Sequence, residues 1–308
     1  MNTIILEGGL GNRMRVAASA YAMAKQLAAH GTPIPFRVLW TKQWGMRCRF
    51  DELFSLTPDL SPKGEGSICL RDALDLEKVI YARPTWKNLH VPRLLQRMKY
   101  RHIIYAPQIW YLNRDGFDYE AWFRQGGTLM TAYRDFCPWI SDDLRTLFQP
   151  NEEVQRLIDE RCRDFTPNTI GIHIRRTDHQ QAIDESPIEL FFEAIDRSLT
   201  PDPSPKGDGS IYPLIYLATD DEATKAALRK RYGKRVITSD AKATRESTDG
   251  IRDALVEMYA LSRTRHIYGS AGSTFSPIAA CLGDVPITIL QRDGTGSVDL
   301  LCQNLRQI

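Results

Sequence analysis

"TIGIHIRRTDHQQ", residues 169–181, decides how this chain is read. Its apolar residues alternate, so a strand here sets Ile170, Ile172 and Ile174 on one face and Gly171, His173 and Arg175 on the other. Arg176, Thr177 and Asp178 follow at the C-terminal end of that strand, the end at which open α/β sheets bind ligands. Adjacent guanidiniums repel each other unless an anion lies between them, and their forked donors suit phosphate oxygens. An ion-pair network with Asp178 and nearby carboxylates satisfies them as well.

Working outward, the chain alternates between the two periodicities. Upstream, "NEEVQRLIDERCRDF" reads as a helix capped by Asn151 with acidic residues in its first turn. Downstream, "SPIELFFEAIDRSL" is a helix with Pro187 near its start, "IYPLIYLATDD" a strand, "EATKAALRKRYG" a helix closed by Gly233, and "RVITSD" a strand. "TDGIRDALVEMYALSRT" carries Ile251, Leu255, Met258 and Leu261 on one helical stripe, and "HIYGS", "TFSPIAACLG" and "PITIL" continue as strand, helix and strand. The N-terminus, "TIILEGGLGNRMRVAASAYAMAKQLAAHG", is a strand, a glycine turn and an Ala-rich helix closed by Gly31, with "IPFRVLW" as the next strand. Such alternation predicts Rossmann-like, doubly wound α/β domains with parallel sheets. The chain has 308 residues, enough for two cores, expected at 1–150 and 151–308. From about Trp40 to Pro150 regular periodicity is scarce. Trp40, Trp44, Trp86, Trp110 and Trp122 in that stretch suit either stacking on sugars or a core.

A formal charge of +2 gives no global field to draw nucleic acid, so an anion site must be local. The six cysteines, Cys48, Cys69, Cys137, Cys162, Cys281 and Cys302, lack CxxC and zinc spacing and read as reduced thiols. No leader pattern or long apolar run is present, which predicts a cytoplasmic protein without an integral membrane segment and leaves peripheral contact with the inner membrane open. "PDLSPKGEGSI" at 58–68 recurs as "PDPSPKGDGSI" at 201–211; its Pro, Gly, Ser and Lys content reads as two exposed loop tips.

Three further turns carry polar groups. "EGGLGNRMR" places Gly9, Gly11 and Asn12 between strand and helix, where backbone N–H groups favour an anion, but without GxGxxG or P-loop spacing. In "LATDDEA", Thr219, Asp220 and Asp221 sit at a strand end and suit either sugar hydroxyls or a helix cap. "GSAGSTFSP" opens a helix with Ser270, Ser273, Thr274 and Ser276, donors suited to a diphosphate or, in part, to capping.

In this order, "GGLGN", "HIRRTD", "LATDD" and "GSAGSTFS" resemble the GDP-fucose-dependent fucosyltransferase superfamily, most densely from about residue 169 to 281. "HIRRTD" with "LATDD" is most similar to the α-1,6 branch, and "GGLGN" to the α-1,2 and protein O-fucosyltransferase branches. The resemblance implies a GT-B fold of two Rossmann-like domains facing across a cleft, the N-terminal one on the acceptor side. It also implies inverting transfer of L-fucose from GDP-fucose to a glycan hydroxyl, with neither metal nor cofactor. Carried over by position, Arg175 holds the β-phosphate, His173 faces the nucleotide, and Asp178 braces Arg175 and Arg176. Asp221 takes the ribose or base, and Ser273 with Thr274 lines the diphosphate. Asn12, in its turn with Gly9 and Gly11, touches donor phosphate or fucose, and Glu257 stands where the family reads guanine with an aspartate. The acceptor hydroxyl needs a carboxylate to take its proton, for which Glu185 and then Asp184 are the candidates. Two other readings compete: a metal-dependent GT-A transferase using "TDD", and a non-catalytic nucleotide-sugar or phosphoglycan binding protein. No GxSxG is present, and hydrolase chemistry is not expected.

Overall fold

In this computed structural model, residues 2–42, 45–55, 80–81, 93–177, 180–199, 213–241 and 243–292 are described. Both copies of the repeated segment lie outside them, as do Trp44, Trp86, Cys69, Cys302 and Asp178. Two compact units emerge: one holds the described residues of Met1–Val154 and Thr244–Arg252, the other those of Gln155–Ala243 and Asp253–Leu300.

The first unit begins with β1 (Asn2–Leu6), α1 (Leu10–Ala29), β2 (Phe36–Lys42) and β3 (Ile80–Tyr81). It continues through α2 (Arg93–Lys99), β4 (His102–Ile104), α3 (Ala106–Arg114), α4 (Tyr119–Arg124), β5 (Thr128–Ala132) and α5 (Ser141–Leu147). Every pairing in its sheet is parallel, in the order β3-β2-β1-β5-β4, so the chain reaches the far edge at β4 before β5 fills the place beside β1. β1 is buried along its whole length, as a central parallel strand must be when helices cover both faces. Trp40 is fully buried among Phe50, Phe54 and Phe148, with ring centroids 5.5 Å from Phe50 and 6.1 Å from Phe54. Trp122 is core too, whereas Trp110 is 48% exposed.

Next come α6 (Glu152–Arg161), β6 (Ile170–Ile174), α7 (Gln180–Glu185), α8 (Ile188–Leu199), β7 (Ile215–Thr219), α9 (Glu222–Tyr232) and β8 (Val236–Thr238), then α10 (Thr248–Leu261), whose residues up to Arg252 count with the first unit, and β9 (Ile267–Ser270), α11 (Phe275–Gly283) and β10 (Ile287–Leu290) of the second unit. Its sheet is again wholly parallel, in the order β10-β9-β6-β7-β8. The predicted alternation on β6 is realised: Ile170, Ile172 and Ile174 join Phe191 and Ile195 of α8, Ile215 and Leu217 of β7, and Leu228 of α9 in one core. Gly171 faces the other way, where a Cβ would meet Thr264 Oγ1 at 2.7 Å and Leu261 at 3.0 Å. Helices therefore cover both faces of the sheet.

The Asn151 side chain caps α6, accepting from the Val154 N–H at 2.9 Å, as its sequence predicts. Cys48, Cys137, Cys162 and Cys281 are free thiols. Among the described residues no helix is long and apolar enough to cross a membrane.

Candidate functional site

Strand order selects the place. In the second sheet the chain moves from β6 to β7 and β8 on one side, then returns to β9 and β10 on the other, so the order reverses between β6 and β9. The crevice beyond the carboxyl ends of two such strands is the usual ligand position in an open α/β sheet. Register fills it. Ile174 pairs with Thr219 and His173 with Gly269, so Arg175 after β6 and Asp220 after β7 emerge side by side, next to Ser270 at the end of β9.

Arg175 Nη1 lies 2.8 Å from Asp220 Oδ2, with both side chains largely buried. Asp220 also accepts from the Arg176 N–H at 2.8 Å and the Thr177 hydroxyl at 2.7 Å. Burial disfavours its charge, but Arg175, Thr177 and the Arg176 amide outweigh burial and hold the carboxyl below its ordinary pKa. The Arg175 N–H donates to Ser270 Oγ at 3.0 Å, and that hydroxyl donates to the His173 carbonyl at 3.3 Å. Three strand ends are thus tied around one guanidinium.

The two arginines diverge. Arg176 Nη2 donates to the Ser186 carbonyl at 2.7 Å and Nη1 to the Ile183 carbonyl at 3.5 Å, so this guanidinium holds the C-terminal end of α7. No anion has to lie between them to relieve repulsion. Asp178, expected to brace the pair, lies outside the described residues; Asp220 braces Arg175. His173 is buried, stacks on Phe275 at 4.8 Å between ring centroids, and has Nδ1 3.2 Å from Ser276 Oγ. Burial, with the Arg175 charge, pushes its pKa down to about 3, so the ring is neutral near pH 7.

α11 starts just beyond this point. Gly272 has φ of +67°, a conformation glycine adopts without strain, and it turns the chain from β9 into the helix. Ser273 Oγ accepts from the Phe275 N–H at 3.4 Å, while Thr274 takes the N-cap position without a side-chain capping bond. Asp221, by contrast, is a working cap: its Oδ2 accepts from the Thr224 N–H at 2.8 Å and the Thr224 hydroxyl at 2.6 Å. Glu257 is buried on α10, and burial with the neighbouring Asp253 charge pushes its pKa up to about 8.

Of the two candidate bases, Asp184 is exposed and accepts from Gln180 at 2.9 Å. Glu185 is half-buried and fixed by Gln181 at 2.9 Å and Gln291 at 3.4 Å. Gly9, Gly11 and Asn12 belong to the first unit. Gly9 caps α1 in an extended conformation, Gly11 is buried in the first turn, and Asn12 packs over Gly8, where a Cβ would fall 2.8 Å from its Nδ2. Among the described residues no group of three His, Cys, Asp or Glu side chains is arranged to hold a metal ion.

Compared by sequence, the chain matches no protein-family model and no curated protein. Solved structures do match. The fucosyltransferase NodZ from Bradyrhizobium aligns over 96% of this chain and 97% of its own, with a TM-score of 0.56 and 17% identity. A NodZ α-1,6-fucosyltransferase soaked with GDP-fucose aligns equally far, with a TM-score of 0.55 and 16% identity. FUT1 of Arabidopsis thaliana aligns over 93% of this chain and 69% of its own, with a TM-score of 0.51 and 16% identity. At these identities it is the fold that is shared: the chain has the α/β fold, with parallel sheets, of these fucosyltransferase structures.

Proposed function

We propose that this chain is an inverting, metal-independent glycosyltransferase of GT-B arrangement that moves L-fucose from GDP-fucose to a glycan hydroxyl. The observation that carries the reading is Arg175, fixed at the reversal of strand order and paired with a carboxylate that a diphosphate can replace. When the sugar–phosphate bond breaks, negative charge gathers on the leaving GDP. A preorganised donor at that point contributes on the order of 2.7–4 kcal/mol. The Arg175 guanidinium fills that role by charge and by its planar fork, and the N–H groups opening α11 at Ser273 and Thr274 extend it. The acceptor oxygen attacks from the opposite side of the sugar carbon, which inverts it, and its proton passes to Glu185.

The metal-dependent alternative needs the carboxylates of "TDD", and both are engaged: Asp220 by Arg175, Asp221 by the start of α9. A thermal-shift panel tests the donor. At about a hundred times its Kd, GDP should add roughly 2.7 kcal/mol of stability. UDP, ADP and CMP at the same concentration should add less, and EDTA should change nothing. Stabilisation by UDP that disappears with EDTA would overturn the assignment.

A further inference from the structure

The first unit carries a surface that the donor chemistry leaves unused. A cavity of about 550 Å³ opens beside β4, the edge strand of the first sheet, with Arg97, Arg101, Tyr100, Tyr105 and Gln108 in its wall. The phenols are anchored: Tyr100 donates to Thr3 Oγ1 at 3.2 Å and Tyr105 to Gln96 Oε1 at 3.0 Å. Gln108 is held as well, its Oε1 accepting from the Tyr105 N–H at 2.8 Å. Arg97 and Arg101 are exposed, and among the described residues no Asp or Glu side chain lines the cavity. From its rim α3 extends Pro107, Trp110, Tyr111 and Arg114, spaced i, i+3, i+4 and i+7 along one exposed face. Trp110 and Tyr111 are 48% and 56% exposed, their rings meet edge to face at 4.9 Å, and the Arg114 guanidinium lies 5.4 Å and 5.6 Å from the two centroids.

We propose that this face binds an anionic oligosaccharide, a chain of sugar rings bearing carboxylate or sulfate groups. A sugar offers a C–H face that packs on a single aromatic ring and hydroxyls that bond to amides and phenols, and Trp110, Tyr111, Gln108 and the two tyrosines supply those surfaces. Arg97 and Arg101 line the cavity and select for negative groups on that chain, while Arg114, on the helix beyond, is paired with Asp115 at 2.8 Å. Single-stranded nucleic acid also pairs stacking with cations, but Trp110 and Tyr111 stand at 89° to each other and form no ladder for successive planar bases. The binding stands without the transferase reading; its role as the place where an extended acceptor lies rests on that reading.

The full chain is titrated calorimetrically with four probes. These are a hexasaccharide alternating glucuronic acid and N-acetylglucosamine, a sulfated hexasaccharide, a neutral chito-hexaose, and a deoxythymidine decamer. At least one acidic hexasaccharide should bind about tenfold or more tighter than the neutral one and tighter than the decamer. Trp110→Ala and Arg101→Gln, both at exposed positions, should each weaken that binding about tenfold while the melting temperature and the GDP-induced shift stay at wild-type values. Equal affinity for neutral and acidic sugars, tighter binding of the decamer, no sugar binding at all, or wild-type affinity in both variants overturns the proposal. Loss of the GDP response with acidic-sugar binding intact defeats the donor reading alone, and the reverse outcome defeats this one alone.

Discussion

Each of the two parallel sheets carries an arginine just beyond the carboxyl end of its central strand, and the two arginines are used in opposite ways. In the first sheet, beside β1, Arg13 is fully buried. It donates through Nε to the Gly8 carbonyl at 2.9 Å and through Nη1 to the Thr41 carbonyl at 2.6 Å, with its guanidinium 5.3 Å from the Trp40 ring. Burial pushes its pKa down to about 9, and Glu7 offsets part of that loss. In the second sheet, Arg175 meets a carboxylate at the strand ends and keeps 18% of its side chain exposed. A guanidinium on backbone carbonyls cannot leave without orphaning them, whereas one on a carboxylate can exchange it for another anion. The first arginine therefore builds its turn, and the second is the one that the proposed function gives to a ligand.

Substitution at the two positions tests this contrast with the largest expected effects. Arg175→Lys keeps the charge and loses the fork, so kcat for fucosyl transfer should fall roughly a hundredfold or more, with the melting temperature close to wild type. Arg13→Met should do the reverse, lowering unfolding free energy by about 2–5 kcal/mol, because the buried Thr41 carbonyl and the part-buried Gly8 carbonyl lose a charged donor. Chemical denaturation and turnover measured on both proteins decide it. If Arg175→Lys unfolds as readily as Arg13→Met, the contrast is broken and Arg175 is a scaffold as well.

A narrower contrast separates neighbouring carboxylates on α7. Glu185 is half-buried and fixed by two glutamines, while Asp184 is exposed and bonded to one. A proton acceptor works from a held geometry, so Glu185→Gln should lower kcat about a hundredfold and Asp184→Asn less than about threefold. Rates under saturating donor check this, and equal losses would remove the preference.

The second sheet was legible in the sequence because its strands are largely apolar runs of three to five residues punctuated by clear helices, and its strand-end motifs are contiguous in the chain. Arg175 could be placed by alternation alone. Its partner could not: "TDD" offers two acids, and only the pairing of Ile174 with Thr219 decides that Asp220 meets Arg175 while Asp221 caps α9. The divergence of Arg176 likewise depends on where α7 ends, which sequence spacing does not give. Much of the first sheet carries no such signal. β5, "TLMTA", is buried on both faces and so shows no alternation, β4 has three residues, and α4 and α5 have six and seven, too short for a helical period to stand out. Trp40 and Trp110 are the same residue type in the same stretch, and only packing assigns one to the core and the other to the surface.

The smallest expected effect sharpens the second sheet's side of the contrast, by asking whether a buried acid there also answers to a ligand. Glu257 is surrounded by Asp253, Arg161, Lys225, Asp220 and the Tyr216 phenol, and with its pKa near 8 it is mostly protonated at pH 6. Guanine presents N1–H and an amino group, two donors that a carboxylate accepts and a carboxylic acid accepts less well. GDP binding should therefore release a proton, and Kd for GDP should fall about tenfold between pH 6 and pH 8, no more than one decade per pH unit. Adenine has an acceptor at N1, so ADP binding should not strengthen over that range. The unliganded protein gives the opposite sign. A folded-state pKa raised from 4.5 to about 8 contributes stability that is complete below pH 4.5 and is lost as pH rises through 8, so the melting temperature should decline across that window. Glu257→Gln stays neutral throughout and should flatten both the GDP affinity profile and the stability profile. A GDP affinity that rises with pH equally in wild type and Glu257→Gln assigns the proton to another group and removes Glu257 from the base-reading role.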